Sequence, residues 1–349
     1  MDSRAAGQSE CTVAIVGFGT VGQAVARILK SDLHPTIRLT HICNRDIQRK
    51  RVDWIDPDVV WTDSFDSVLA SSVDVVVELI GGVSPARSCI ERALAAGKSV
   101  VTANKQLIAE AGPALLTQAS EHQQELLFEA AVGGGIPVLR GLREGVSGDK
   151  LYRIEGILNG TCNYILTRME AESISFDEAL AEAQQLGYAE VDPTADVDGY
   201  DAQAKLAILI GVGLKRTVHA PDIPVTSIAA VRAIDFVYAR KLGYVVRQVA
   251  RAELIPESTA MHASVQPALV PEPSALGRVG GSQNIVVVDG KFGGETAFSG
   301  FGAGGDPTAV AVVSDVISIS NKDSLLSDGW LPMSEMPSRV IAEFEAAHY

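Results

Sequence analysis

The side chains best suited to acid–base work lie between Gly187 and Lys205, in the run G-Y-A-E-V-D-P-T-A-D-V-D-G-Y-D-A-Q-A-K. Five carboxylates, Glu190, Asp192, Asp196, Asp198 and Asp201, precede a single lysine, Lys205. Pro193 and Gly199 punctuate the front half as loop. Asp198 suits a helix N-cap, after which Ala202, Leu206, Leu209 and Ile210 repeat at helical spacing. On that helix Asp201 and Lys205 stand four residues apart and share a face. Two readings are open. One is an acidic surface cap with an exposed ion pair, worth about 0–1 kcal/mol. The other is a polar pocket in which carboxylates hold an ammonium-bearing substrate and the lysine moves a proton.

The elements that must position such a pocket begin near the N-terminus. Residues 12–16, T-V-A-I-V, form a buried-strand run and meet G-F-G-T-V-G at 17–22, then a helical segment over 23–30. This is G-x-G-x-x-G between a strand and a helix, the setting of a dinucleotide site. Gly17 permits the tight turn, Gly19 lets main chain approach a pyrophosphate, and Gly22 lets helix and strand pack closely. Phe18, Thr20 and Val21 complete the loop, and the helix N-terminus turns its N–H groups toward phosphate. A merely structural turn is the competing reading. The next strand, 37–43, runs into Asn44-Arg45-Asp46. Arg45 suits the 2′-phosphate of NADP, and Asp46 keeps NAD open. A plain solvated arginine is the third possibility.

Strands and helices keep alternating. Residues 59–61 and 74–80 read as strands, the second ending in Gly81-Gly82. A helix follows Pro85, then a strand over 97–101 leads into Thr102-Ala103-Asn104-Lys105, and 126–129 closes the series. The pattern predicts an α/β fold with a Rossmann-type, doubly wound parallel sheet. Ligands on such sheets bind beyond the carboxyl ends of the strands, where Gly81, Gly82, Thr102 and Lys105 fall. The run E-A-A-V-G-G-G-I-P at 129–137 is either a hinge or a set of carbonyls that, with one carboxylate, holds a hard cation.

The second half reads as α+β. A strand spans 152–158. Ser175 and Glu178 form a capping box for a helix with an apolar stripe of Phe176, Ala179, Leu180, Ala183 and Leu186. Strand-like segments cover 238–254 and 258–270, with Pro267, Pro271 and Pro273 marking a loop. Residues 285–288 and 295–298 form a hairpin, and 308–320 is a helix returning to the first domain. The expected division is a nucleotide-binding domain over 10–131, completed by 305–349, and a substrate-binding, catalytic and dimerisation region over 132–304.

Composition narrows the function classes. The chain has 349 residues, 47% of them apolar, and a formal net charge of −14. A packed core is expected, and a nucleic-acid or anionic-membrane surface is not. Cys11, Cys43, Cys89 and Cys162 are widely spaced, without the pairing of a zinc site. The leader is polar and no apolar run reaches membrane-spanning length, so a soluble cytoplasmic protein is expected.

The motifs together carry a resemblance. G-F-G-T-V-G at 17–22, A-N-K at 103–105, E-A-A-V-G-G-G-I-P at 129–137, L-N-G-T-C-N-Y-I-L at 158–166, the long acidic motif at 187–205 and G-A-G-G-D-P-T-A at 302–309 resemble the homoserine dehydrogenases, over roughly residues 12–320. The resemblance implies reversible NAD(P)-dependent interconversion of aspartate 4-semialdehyde and homoserine, on the route to threonine, methionine and isoleucine. It implies that Glu190 and Asp201 hold substrate, that Lys205 donates the proton, and that Lys105 lines the same cleft and contacts cofactor. It also implies a sodium ion at Glu129, Val132, Gly134 and Ile136, with Gly187 and Gly304 on the cofactor side, and a homodimer. Phe301 stands where the family often has proline. No C-terminal regulatory module is evident before Tyr349, so feedback through one is not expected. Two rivals stay open, another amino-acid or aldehyde reductase and a catalytically silent NAD(P)-binding sensor.

Overall fold

The N-terminal alternation resolves into one parallel sheet. In this computed structural model, which describes residues 10–31, 33–321 and the backbone of 340–341, six strands form it: β1 (Cys11–Val16), β2 (Ile37–Cys43), β3 (Val60–Thr62), β4 (Val75–Glu78), β5 (Ser99–Thr102) and β6 (Leu126–Leu127). Their order is β3-β2-β1-β4-β5-β6, and every pair is parallel. The chain reverses direction across the sheet between β1 and β4, which makes their carboxyl ends the topological switch point. Helices cover both faces, so β4 and β5 are buried along their whole length and need no polar alternation.

One covering helix comes from far along the chain. Gly305–Ser320 packs on Thr20–Lys30. Its Ala309, Val312 and Val316 join the apolar cluster built from Val13, Ile15, Ala24 and Val25. Gly22 is what lets Thr20–Lys30 sit so close to β1: a Cβ there would lie 2.3 Å from the Gly17 carbonyl oxygen.

The second sheet is mainly antiparallel. Strands β7 (Leu151–Ile157), β8 (Tyr244–Leu254), β9 (Met261–Pro271), β10 (Gln283–Gly290) and β11 (Gly294–Phe301) lie in the order β11-β10-β7-β8-β9, with β12 (Val340–Ile341) parallel to β9. Helices Gly160–Glu172, Phe176–Gln185 and Ala233–Lys241 share an apolar cluster with β8 through Cys162, Ile165, Met169, Ala183, Phe236 and Val246. The capping box at Ser175 and Glu178 is formed, with Ser175 N donating to Glu178 Oε2 at 2.8 Å.

The described residues divide into two compact units, 10–131 with 304–321, and 132–303 with 340–341. The span 305–349 therefore does not act as one piece. Its helix is in the first unit, 322–339 lie outside the described residues, and β12 belongs to the second sheet.

Other sequence expectations need correction. Residues 238–241 end a helix rather than open a strand, because Gly243, at φ 79°, supplies the left-handed stop after Lys241. Pro267 lies inside β9, opposite Gln248. Among the described residues β12 borders β9 only at Met261 and His262, and an open edge tolerates a missing N–H. Leu186 caps its helix and is 58% exposed, outside the apolar stripe. Asp198 closes a short helical turn, Thr194–Val197, and the N-cap of the following helix is Gly199 at φ 90°. Among the described residues no helix is long and apolar enough to cross a membrane.

Candidate active site

Helix Tyr200–Leu209 buries both of its charged side chains. Asp201 is 7% exposed and Lys205 8%. Lys205 Nζ donates to Asp201 Oδ2 at 2.7 Å and to the Leu158 carbonyl oxygen at 2.7 Å. An ammonium this deep persists only when paired and hydrogen-bonded, so the exposed-cap reading falls. An ammonium has three donors, and the described residues use two.

The surroundings fix this pair. Asn159 caps helix Gly160–Glu172, its Oδ1 accepting from Cys162 N at 2.8 Å. Its Nδ2 donates to Asp201 Oδ2 at 2.9 Å and to Asp196 Oδ1 at 2.7 Å. Asn284, on β10, donates to the same Leu158 carbonyl at 2.9 Å. Its Oδ1 is buried and has no hydrogen-bond partner among the described residues. The structure thus joins Asp201 and Lys205 and adds Asn159, Asp196 and Asn284. Glu190 is not in this bonded set: it is exposed, and its carbonyl accepts from Gln184 Nε2 at 3.0 Å. Gly187, at φ 77°, turns the chain out of helix Phe176–Gln185 into the same exposed loop.

In the first unit, a cavity of about 460 Å³ opens at the carboxyl ends of β1, β2 and β4. Gly17, Phe18, Gly19, Asn44, Arg45, Lys50 and Asp63 line it. Gly17 has φ 104°, and a Cβ there would strike the Leu79 carbonyl oxygen at 2.5 Å. A Cβ on Gly19 would meet nothing within 4 Å, so the loop is open above that residue. The Phe18 ring is fully buried and stacks edge-on against Trp61 at 5.0 Å; its amide donates to Asn44 Oδ1 at 3.3 Å. Thr20 and Val21 begin a helix with no acid in its first turn, which leaves the positive end of the dipole uncompensated. Burial, then Cys89 and Asp63, push the Cys43 thiol up to about 11, so it is a neutral wall of the cavity.

A buried carboxylate clips two neighbouring strand ends. Glu78 is 0% exposed. Its Oε2 accepts from Thr102 Oγ1 at 2.6 Å, and its Oε1 accepts from Ile80 N at 2.6 Å and Gly81 N at 3.3 Å. Asn104 N donates to Thr102 Oγ1 at 3.0 Å and Asn104 Nδ2 to the Gly82 carbonyl at 2.6 Å. These bonds hold the left-handed pair Gly81 (φ 79°) and Gly82 (φ 69°) beside Lys105, which is half-buried at the start of helix Lys105–Glu121. Gly304, at φ 123°, precedes Gly305–Ser320.

Of the residues expected at a cation, Glu129 is buried near the end of the first unit, its amide donating to Asp315 Oδ2 at 2.8 Å. Val132, Gly134 and Ile136 open the second unit. Gly134 has φ 55°, and a Cβ there would lie 2.7 Å from Gly302 main chain.

Two family models cover most of the chain: the homoserine dehydrogenase model matches residues 137–317, and the homoserine dehydrogenase NAD binding domain matches 17–129. A homoserine dehydrogenase of Synechocystis sp. is 43% identical over 314 residues, 88% of this chain and 72% of the relative. The chain belongs to the homoserine dehydrogenase family. Among solved structures, a homoserine dehydrogenase from Thiobacillus denitrificans superposes with TM-score 0.89 at 33% identity, covering 96% of this chain and 81% of that one. A hyperthermophilic archaeal homoserine dehydrogenase in complex with NADPH gives TM-score 0.76 at 29% identity, covering 90% and 98%.

Membership makes the chain an NAD(P)-dependent oxidoreductase that interconverts aspartate semialdehyde and homoserine, and neither rival is favoured. The sequence reading of a homoserine dehydrogenase missed the groups that orient its charged side chains. Asn159 carried a signal, an N-cap residue directly after a strand. Lys50, in the nucleotide cavity, could have been found as a cation close to Arg45. Glu78 and Asn284 lie in apolar strand runs and gave none.

Proposed function

We propose that Lys205 protonates and stabilises the developing oxyanion when aspartate 4-semialdehyde is reduced, with Asp201 and Glu190 answering the substrate ammonium. The observation that carries this is the buried Lys205 ammonium with one donor left over among the described residues. A fixed cation at the carbonyl oxygen lowers the barrier because charge develops there. The same group, run backwards, accepts the homoserine hydroxyl proton. Asp201 keeps the ammonium in place, and Asn159 keeps Asp201 in place. The buried Asn284 Oδ1 is an additional acceptor for a bound donor. A bound nicotinamide supplies the hydride.

Glu190 is exposed and can meet an ammonium without disturbing the core. Glu190→Ala is expected to raise the KM for homoserine about tenfold or more, as loss of one charged contact would, with thermal stability unchanged. An unaltered substrate dependence in steady-state assays would remove it from the site.

On the cofactor side we assign Gly17, Phe18, Gly19, Thr20, Val21 and Gly22 to the pyrophosphate, and Gly81, Gly82 and Lys105 to the nicotinamide end. Gly187 and Gly304 are assigned to the cofactor on family resemblance alone. Arg45 and Lys50 favour NADP over NAD, since two cations suit a 2′-phosphate. Arg45→Ala is expected to weaken NADP more than NAD. Equal loss with both would retire the idea, and absorbance of the nicotinamide during homoserine oxidation, with each cofactor in turn, is the direct test of the whole assignment.

A sodium ion suits the remaining residues. By the family resemblance, main-chain oxygens of Val132, Gly134 and Ile136 and the Glu129 carboxylate would supply the hard-oxygen donors such an ion takes, and the turn at Gly134 excludes a side chain. The same assay with and without sodium tests it. The setting we propose is a cytoplasmic homodimer serving threonine, methionine and isoleucine synthesis; four free cysteines fit a reducing compartment.

A further inference from the structure

A second polar cavity, of about 550 Å³, lies in the second unit beside the C-terminal turn of helix Gly160–Glu172. Arg240, Arg247, Arg278, Glu170 and Glu272 supply its charges. None of them belongs to the Lys205 cluster. Arg247 is the floor of the cavity and is only 4% exposed. Its Nε donates to the Val279 carbonyl at 3.2 Å, and its Nη1 to Glu170 Oε2 at 2.9 Å and to the Val246 carbonyl at 2.8 Å.

Part of this arrangement is structural. Arg240 Nη2 donates to the Glu170 carbonyl at 3.4 Å, which caps the helix end. Arg278 Nε and Nη2 donate to the Pro273 carbonyl at 3.0 and 2.6 Å. What is left over is available to a ligand. A guanidinium carries five donors, and Arg247 Nη2 has no protein acceptor among the described residues. Three guanidiniums against two carboxylates leave one positive charge in excess, in a chain whose net charge is −14.

We propose that this cavity binds a small oxyanion, a carboxylate or a phosphate, held on Arg247 Nη2 with Arg240 and Arg278 at the rim. Planar guanidiniums suit the paired oxygens of both groups better than lysine would. The polar lining selects a hydrophilic ligand, unlike the largely apolar walls of most small-molecule pockets.

The test is calorimetric titration of the full chain, saturated with NADP so that the nucleotide cavity is filled. Inorganic phosphate and succinate are the two probes. One-site saturable binding of phosphate alone identifies phosphate esters as the ligand class, and binding of succinate alone identifies carboxylates. Arg247→Lys keeps a cation opposite Glu170 but removes the remaining donors. It is expected to weaken binding about tenfold or more, as is the double variant Arg240→Ala/Arg278→Ala at the exposed rim. The melting temperature of the rim variant should not move. No saturable heat with either probe overturns the proposal, and so does an affinity that neither variant changes.

Discussion

Replacing Lys205 by alanine is expected to lower kcat by about 10²–10⁴-fold, the usual worth of a positioned general acid, while NADPH binding stays close to that of the unaltered chain. The expectation follows from the third donor of the ammonium, which no other described group in the Lys205 cluster replaces. A stability effect comes with it. Removing one member of a buried ion pair leaves Asp201 uncompensated, at a cost of about 3–5 kcal/mol. Activity loss alone would therefore not separate chemistry from folding. The double variant Lys205→Met/Asp201→Leu does so: it removes both charges, which is often neutral for stability, and should recover the melting temperature without recovering turnover. Undiminished turnover in Lys205→Ala, measured by nicotinamide absorbance, would exclude Lys205 from proton transfer.

The second large effect is expected at Gly22. An added Cβ would stand 2.3 Å from the Gly17 carbonyl, and that oxygen is main chain in a loop pinned by Gly17 N donating to the Cys43 carbonyl at 2.9 Å. Neither partner is a flexible side chain that can swing aside. Overpacking of this kind costs about 1–3 kcal/mol, which for a unit of this size lowers the melting temperature by roughly 2–12 °C. The helix N-terminus would move off the pyrophosphate position, so Gly22→Ala should also weaken NADPH. Gly19→Ala is the contrasting case. Its Cβ would enter open space, so the melting temperature should hold while NADPH affinity falls. Fluorescence titration with NADPH and thermal unfolding of both variants check the pair. Equal behaviour of the two would show that the glycines do not divide the work in this way.

Much of the architecture was legible because its signals are local. Strand–loop–helix around Gly17, Gly19 and Gly22 is written in consecutive residues, and burial on both faces makes β4 a plain apolar run. The Asp201–Lys205 spacing likewise placed both groups on one helical face. What was not legible depends on distant contacts. The burial of that face is set by Leu158, Asn159 and Asn284, which come from two other elements. The strand expected from Tyr238 starts only at Tyr244, because packing of Phe236 and Ala239 into the apolar cluster keeps 238–241 helical, which their composition does not signal. Asp198 lost the cap position to Gly199 because the chain there must take a positive φ, which aspartate adopts less readily than glycine.

The helix Gly305–Ser320 has a consequence for synthesis on the ribosome. The six parallel strands emerge early, but the flank that Ala309, Val312 and Val316 cover stays bare until residues 132–303 have also been translated. At ordinary elongation rates that interval is on the order of ten to thirty seconds. During it the nascent chain carries an open apolar surface, and a holdase that shields it would raise the yield of native enzyme.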